Sequence, residues 1–543
     1  MIAFLLLFLV GISFSQYPAE YSLLKKFREK RDLSVGLFLL ENYPDAVFED
    51  ELRVEVAQLL LEKGEPEKAK DILREVGLRN VRDDYGERVA KLWKELGLEP
   101  KRLLLRFPQY AVEFLGRVAL SEEERKKVLE GLLREGKYEE VLRFSEECLY
   151  RGIALFRLRR YRESSQILGE CEGSRAGIYA LLSYLRLGDY KGAEEFLRKR
   201  KDPALYMRYA KHLLGKGELL KARRFLLLSG GGFEPLFYMG LIDFMRNRYM
   251  LAYEEFSEAH RYARGNIERA QASFWKFKTL YKLGAHDLAL HYLEQASELA
   301  GFYSAVAKKF LGKRVYEPVL YTPPEGEATL GKRLFGIYRL GFLHYMRLEA
   351  FKRAQELTPE DILYILSFDP YTAIKLSART YGANSDIYRA VAFPTPFSVV
   401  VKRASDKFRV DPALIYAVMR QESLFDPLAL SRSRAKGLMQ LLDRTARWKA
   451  KRIGYNYDDI FDIETNIFLG TAYLRFLLDF WKGDLVKAVA SYNAGQGAVK
   501  LWRDYGDDFL FIETIPYGET RKYVKRVLWF YYIYKEKLSE SSK

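Results

Sequence analysis

One stretch decides how the C-terminal part of the chain is read: Pro412-Ala-Leu-Ile-Tyr-Ala-Val-Met-Arg-Gln-Glu422-Ser-Leu-Phe-Asp-Pro427-Leu-Ala-Leu-Ser431-Arg-Ser-Arg434-Ala-Lys-Gly437-Leu-Met-Gln440-Leu-Leu442-Asp443-Arg-Thr445-Ala446. Asp411 suits an N-cap and Pro412 a first helical residue. Leu414, Ile415, Val418 and Met419 form one apolar stripe, and Glu422 continues it at the C-terminal end of the helix. A carboxyl there is costly to ionise, because it loses water and faces the negative end of the helix dipole. Both effects raise its pKa. A carboxylic acid that stays protonated near neutral pH is what general-acid cleavage of a glycosidic bond needs. The plainer alternative is a glutamate that caps the helix or pairs with Arg420 or Lys436. Beyond it, Gly437 allows close backbone approach. Gln440 offers a donor and an acceptor, which suits the acetamido groups of amino sugars.

Two further segments extend the pattern downstream. A short helix over 484–493 ends in Ser491-Tyr-Asn-Ala-Gly495, which places Tyr492 and Asn493 to line a cleft. Ile515-Pro-Tyr-Gly-Glu519-Thr-Arg521-Lys-Tyr523-Val524 then leads into a final apolar and aromatic helix. Trp529, Phe530, Tyr531 and Tyr532 are expected to seal that helix into the core.

Upstream, residues from about 20 to 300 carry helical periodicity with sparse proline. A turn residue followed by a small residue recurs, as in Arg159-Arg-Tyr-Arg-Glu-Ser164, Gly188-Asp-Tyr-Lys-Gly-Ala193, Gly217-Glu-Leu-Leu-Lys-Ala222 and Asn247-Arg-Tyr-Met-Leu-Ala252. Steps of about 30 residues between these small positions match a two-helix repeat of the tetratricopeptide kind. Gly or Asn leaves one helix in a left-handed turn, and the small residue lets the next helix pack close. Such hairpins bury their apolar faces by stacking into a solenoid. From 301 to 395 proline punctuates shorter helices, at Pro318, Pro323, Pro324, Pro359 and Pro370. Ala392-Phe-Pro-Thr-Pro-Phe397 reads as an extended crossing segment.

Composition bounds the rest. The 543 residues are enough for about three or four domains. Hydrophobic residues make up 49% and charged residues 30%, which excludes a disordered or low-complexity chain. A mean hydropathy of −0.23 excludes a polytopic membrane protein. The net charge of +16 reads as a solvated surface with a modest Lys/Arg excess, since no basic block stands out. Scarce Asn and Gln beside abundant Lys, Arg and Glu suit a chain that works hot. The aromatic residues of the hairpins read as packing residues at helical spacing.

Ala3–Phe14 forms an apolar run of signal-peptide type, with a small-residue pattern around Ser15. Residues 1–15 are therefore expected to be an export signal cut after Ser15, which sends the mature chain to the periplasm, possible envelope association included. Export disfavours nucleic acid as a partner. Cys148 and Cys171 lie near the ends of two successive helices; a disulfide and two buried thiols are both open readings. Two Cys and 5 His are too few and too scattered for a zinc site, so no metal or cofactor is expected.

Over residues 409–528 the chain resembles the soluble lytic transglycosylases. The pattern E-S-x-F-x-P-x-A-x-S-x-x-G-A-x-G-L-M-Q-L-M-P-x-T-A aligns from Glu422 to Ala446 without a gap, followed by counterparts of A-Y-N-A-G and I-P-F-x-E-T-R-x-Y-V. The resemblance implies an all-α protein. Its expected parts are a superhelical solenoid of helical hairpins over 16–300, a helical linker domain over 301–395, a lysozyme-like catalytic domain over 396–538 and a tail over 539–543. It implies cleavage of the β-1,4 bond between N-acetylmuramic acid and N-acetylglucosamine in peptidoglycan. Glu422 would act as acid and then as base, leaving 1,6-anhydromuramic ends. Ser431, Gln440, Leu442, Tyr492, Asn493 and Glu519 match substrate-contacting positions, and Tyr523 is added as a further candidate. Peptidoglycan strands are the implied partner of a monomeric chain, whose solenoid is available for peripheral membrane or cell-wall protein contacts.

Four positions depart from the pattern. Ser491 and Tyr517 are mild changes from Ala and Phe. Arg434 stands where Gly is usual and forecasts a changed or strained turn. Asp443 replaces Pro near a helix start, where a carboxylate is favourable. Two other functions stay open at this point. A hydrolase would need a second carboxylate, with Asp426, Asp443, Glu464 and Glu519 available. A catalytically dead glycan-binding scaffold is the other. A fragment starting near residue 390 is expected to retain weak activity.

Overall fold

The computed structural model describes residues 17–78, 81–317, 319, 321 and 326–540. The expected signal peptide with its cleavage position, and Pro318, Pro323 and Pro324, lie outside the described residues. Within them the protein is all-α; the only sheet-like pairing is a pair of isolated bridges, Leu430 with Lys436 and Lys436 with Leu441. No described helix is long and apolar enough to cross a membrane.

The repeat signature forms hairpins. Helices Tyr161–Gly169, Tyr190–Arg200, Leu219–Leu228 and Tyr249–Arg261 each follow a residue at positive φ two positions before their start: Arg159, Gly188, Gly217 and Asn247, at 63°, 72°, 84° and 58°. Ser164, Ala193, Ala222 and Ala252 are all fully buried, as a position of close helix approach requires. Helix Cys148–Arg157 begins at a cysteine that is disulfide-bonded to Cys171, with a Cα–Cα distance of 5.9 Å. That settles the open choice in favour of the bridge.

By contact density the described residues form two compact units, which cut the chain differently from its order in sequence. One comprises residues 17–193 with 326–387. Its buried carboxyls include Glu51 and Glu349. Glu51 accepts from the backbone N–H and Nε of Arg82, at 3.0 and 3.2 Å, and from the Tyr345 hydroxyl. Glu349 accepts from the Tyr21 hydroxyl at 2.8 Å and from Arg333 Nε at 2.5 Å.

The other unit comprises Glu194–Tyr321 with 388–540. Here the extended segment 392–397 is held by its carbonyls. Arg420 Nε donates to Ala392 at 2.7 Å, and the Tyr534 hydroxyl donates to Pro394 at 3.0 Å. The long terminal helix Gly518–Glu540 packs along helix Pro412–Glu422 and against helix Phe302–Phe310. Near its end, Glu536 accepts the backbone N–H groups of Val315 and Tyr316. Phe530 is buried, and the Tyr531 hydroxyl bonds Asp411 at 3.0 Å.

Candidate active site

Asp411 caps helix Pro412–Glu422 through the N–H of Ala413 at 2.9 Å, and Glu422 is that helix's last residue. The chain then reverses sharply. Leu424 and Phe425 both take positive φ, 54° and 66°, and Phe425 is fully buried. Left-handed backbone is costly for such side chains, so the reversal is held from outside. Ser423 Oγ donates to the carbonyl of Leu438 at 2.8 Å, which ties the turn to the loop that follows.

That loop, 429–441, is a frame of short backbone bonds. Ser431 pairs with Ala435 through its N–H and accepts the Ala435 N–H on its hydroxyl, both at 2.9 Å. Arg434 sits between them at φ 62°, so the turn keeps a glycine-type conformation with an arginine in it. Gln440, itself at φ 48°, donates its amide to the carbonyls of Ala429 at 3.0 Å and Gly437 at 2.9 Å. Its donors therefore hold the frame, and Oε1 is the part left for a ligand. A Cβ on Gly437 would lie 2.3 Å from Asn466 Nδ2, so glycine is required there. Asn466 is fully buried and clamps the loop, accepting from the Met439 N–H at 2.8 Å and donating to the carbonyls of Lys436 and Ile460 at 2.9 and 2.8 Å. The motif reading missed Asn466; a polar amide amid the apolar residues of helix Ile463–Phe480 was its only signal.

Glu422 lies half-buried beside this frame. The Tyr523 hydroxyl donates to its Oε1 at 2.8 Å. Burial pushes the carboxyl up to about 7; the Tyr523 bond pulls it down, and the negative charge of Glu519 adds to the rise. Neither cation of the plainer alternative reaches it: Arg420 binds the Ala392 carbonyl, and Lys436 pairs with Asp443 at 2.8 Å. Asp443 is the first residue of helix Asp443–Ile453, as its favourable charge at a helix start requires. Burial also holds the Tyr523 hydroxyl well above its ordinary pKa, so it stays a donor. When Glu422 is protonated, Oε1 is thus the accepting oxygen and the proton sits on Oε2.

The remaining candidates make contacts of their own. Tyr492 donates to the Met439 carbonyl at 2.9 Å, and the charge of Glu422 helps raise its pKa. Ser491 accepts from the Trp481 indole at 2.8 Å, which gives its hydroxyl a partner that Ala would lack. Asn493 accepts from the Thr520 hydroxyl at 2.6 Å, and Glu519 is exposed at the start of the terminal helix. Leu442 is 45% exposed, open to a ligand's apolar face. Ser431 and Leu442 form no hydrogen bond with Glu422. Among the described residues no cluster of side chains could hold a metal ion.

Fold and site together define an all-helical protein in which helical hairpins precede a helical domain with a half-buried acid at a helix end. The likeness is to the soluble lytic transglycosylases in particular. Residues 399–514 match the Transglycosylase SLT domain family and residues 514–543 the Soluble lytic transglycosylase helical domain. The soluble lytic murein transglycosylase of Escherichia coli K12 is 28% identical over 286 residues, covering 49% of this chain and 44% of the relative. A putative soluble lytic murein transglycosylase of Haemophilus influenzae is 33% identical over 154 residues, 27% of this chain and 26% of the relative. The chain thus matches less than half the length of these curated relatives. In fold the likeness is broader. An inactive mutant of the lytic transglycosylase Slt from Pseudomonas aeruginosa superposes with a TM-score of 0.57 at 18% identity, covering 95% of this chain and 91% of that one. The 70-kDa soluble lytic transglycosylase of Escherichia coli gives 0.54 at 17% identity, covering 96% and 85%.

Proposed function

We propose that this protein is a peptidoglycan lytic transglycosylase. It cleaves the β-1,4 bond between N-acetylmuramic acid and N-acetylglucosamine without consuming water. The observation that carries the reading is Glu422: a partly desolvated carboxyl with a raised pKa, bonded to a neutral tyrosine and to no cation. Near pH 7 such a group is populated in both forms, so it can give a proton and take one back.

In the first step Oε2 of Glu422 protonates the bridging oxygen as its bond to the anomeric carbon breaks. In the second, the sugar's own 6-hydroxyl oxygen attacks that carbon and Glu422 takes the hydroxyl proton. The acid is restored and a 1,6-anhydro ring is left. Tyr523 holds Oε1 throughout, so the working lone pair and proton stay on Oε2. Ser431, Gln440, Leu442, Tyr492, Asn493 and Glu519 are assigned to the sugar-contacting wall. For Gln440 the contact runs through Oε1, for Asn493 through its amide nitrogen. The disulfide and the relatives' action on murein support a periplasmic site of action, and the chain is taken to act as a monomer.

Glycan cleavage by hydrolysis ordinarily uses two carboxylates in defined opposition. Glu519 is near enough for its charge to act on Glu422, so the two routes are separated by their products rather than by the carboxyls present. Mass analysis of muropeptides decides the matter. Wild-type protein is expected to release anhydro ends, and Glu422→Gln to lose at least about a thousandfold in rate, within the range a positioned acid contributes. Reducing ends would identify a hydrolase; undiminished cleavage by Glu422→Gln would remove Glu422 from the chemistry.

A further inference from the structure

A second buried polar cluster lies on the far side of the terminal helix from Glu422. Glu513, fully buried, is the penultimate residue of the short helix Asp508–Thr514, just before Ile515-Pro516. Its Oε1 accepts from Gln271 Nε2 at 2.8 Å and from the Tyr303 hydroxyl, and it pairs with Lys525 Nζ at 2.7 Å. Oε2 is buried and has no hydrogen-bond partner. Gln271 and Tyr303 belong to the hairpins, Lys525 to the terminal helix. One turn earlier on the same helix face, Arg521 lies over the Tyr238 ring at 5.6 Å and donates to the Ile515 carbonyl at 2.7 Å. The turn between the two helices packs closely as well, since a Cβ on Gly215 would meet Pro516 Cγ at 2.2 Å, and ahead of the short helix the Tyr505 hydroxyl donates to the Leu214 carbonyl at 2.8 Å.

A buried ion pair is a poor source of stability, because desolvation offsets its attraction. A well-packed apolar cluster would serve stability as well. What polar pairs add is direction, since a hydrogen bond fixes an angle where apolar contact does not. The direction here is consequential. Arg521 and Lys525 are four residues apart on one face; Tyr523 is two residues from each, about 200° around the helix. A rotation that relaxed the Glu513 contacts would carry the Tyr523 hydroxyl away from Glu422.

We infer that the Glu513 cluster is a positioning device, through which the hairpins of 194–321 hold the terminal helix at the rotation that delivers Tyr523 to Glu422 Oε1. The assignment rests on the proposed reaction for its catalytic consequence, but not for its geometry. It also revises the expectation for a fragment starting near residue 390, which would leave Arg521, Lys525 and Glu513 without Tyr238, Gln271 and Tyr303.

The test uses the full chain carrying Glu513→Gln or Tyr303→Phe. Glu422 is titrated by carbon NMR of its carboxyl, the signal assigned by its loss in Glu422→Gln. The groups facing it are Tyr523 on the terminal helix, Tyr492 on helix Leu485–Ala494 and Glu519. Losing the Tyr523 bond removes the one influence that lowers its pKa. The expected result is an upward shift on the order of half a unit in both variants. Alongside it, kcat should fall about tenfold or more with KM within about twofold, as for a misaligned acid. Should Glu513→Gln fail to fold, Tyr303→Phe decides, because it keeps the ring and the ion pair. A Glu422 titration and kcat unchanged in folded variants would overturn the inference and leave the cluster a purely structural one. If wild-type protein releases no anhydro ends, the proposed reaction fails while the titration still judges the positioning.

Discussion

The centre of the first compact unit and the Glu422 site of the second treat a buried carboxyl in opposite ways. Each buries glutamate beside tyrosine. In the unit of 17–193 with 326–387, Glu51 and Glu349 receive their tyrosines together with arginines, from Arg82 and Arg333. In the other unit both arrangements occur: Glu513 receives Tyr303 together with Lys525, whereas Glu422 receives Tyr523 and no cation. A buried carboxyl bonded to an arginine ties helices together through charge-assisted hydrogen bonds. The same carboxyl with a neutral donor has its charge opposed by desolvation and becomes a proton carrier. Between Glu51 or Glu349 and Glu422, the difference is a guanidinium on the carboxyl.

The contrast can be broken most forcefully at Glu51. Glu51→Gln leaves the guanidinium of Arg82 and the nearby Arg28, 3.9 Å from Glu51, without its charge. Removing one partner of a buried pair costs about 3 kcal/mol or more. Chemical denaturation at pH 8 should show that loss, and a neutral result would mean that the cations re-pair with neighbours such as Glu55 or Asp84.

Glu422→Gln should move stability the other way. Its folded pKa of about 7 lies above the ordinary 4.5. Between those values the folded state binds more protons than the unfolded one, so the carboxyl's contribution to stability falls as pH rises through this window. Above pH 7 the cost is complete, about 3 kcal/mol at most from a shift of this size. The neutral amide avoids it. Glu422→Gln is therefore expected to be more stable than wild type at pH 8, by about 2 kcal/mol, and to match it at pH 4. Paired unfolding curves at the two pH values check this; a stability gap that does not change with pH would show that Glu422 is not buried as an acid.

How far the sequence alone carries depends on the range of each interaction. The Glu422 helix, its Asp411 cap, the Gly437 turn and the hairpin register all follow from residues within about one repeat of one another, and all were legible. Tyr523 was reachable only as a motif neighbour, 101 residues from the carboxyl it meets. Asn466 and the Glu513 cluster were not legible. Asn466 reads as one polar residue in a helix until its 27-residue reach to Met439 is known. Gln271 and Glu513 stand 242 residues apart, and nothing local in either segment names the other. For the same reason the linear division at residue 300 did not foresee that hairpins 194–321 share a compact unit with the acid.

The smallest expected effect concerns Arg434, where a local reading and the structure converge on strain. The turn 431–435 closes through Ser431 and Ala435 whichever residue occupies the left-handed position, and Arg434 occupies it at φ 62°. Glycine adopts that conformation without the Cβ clash that costs an ordinary residue about 1 kcal/mol, but it also enlarges the unfolded ensemble. The two effects oppose each other, and the release of strain should win by a few tenths of a kcal/mol to about 1. Arg434 is exposed and has no ion pair to forfeit among the described residues. Arg434→Gly should therefore raise the melting temperature slightly and leave the Glu422 titration unmoved, because Ser423, Gln440 and Asn466 hold the frame independently. A drop in stability would show that the arginine side chain, not the backbone, is what this turn selects; a shifted Glu422 titration would show that the frame transmits strain from turn to acid.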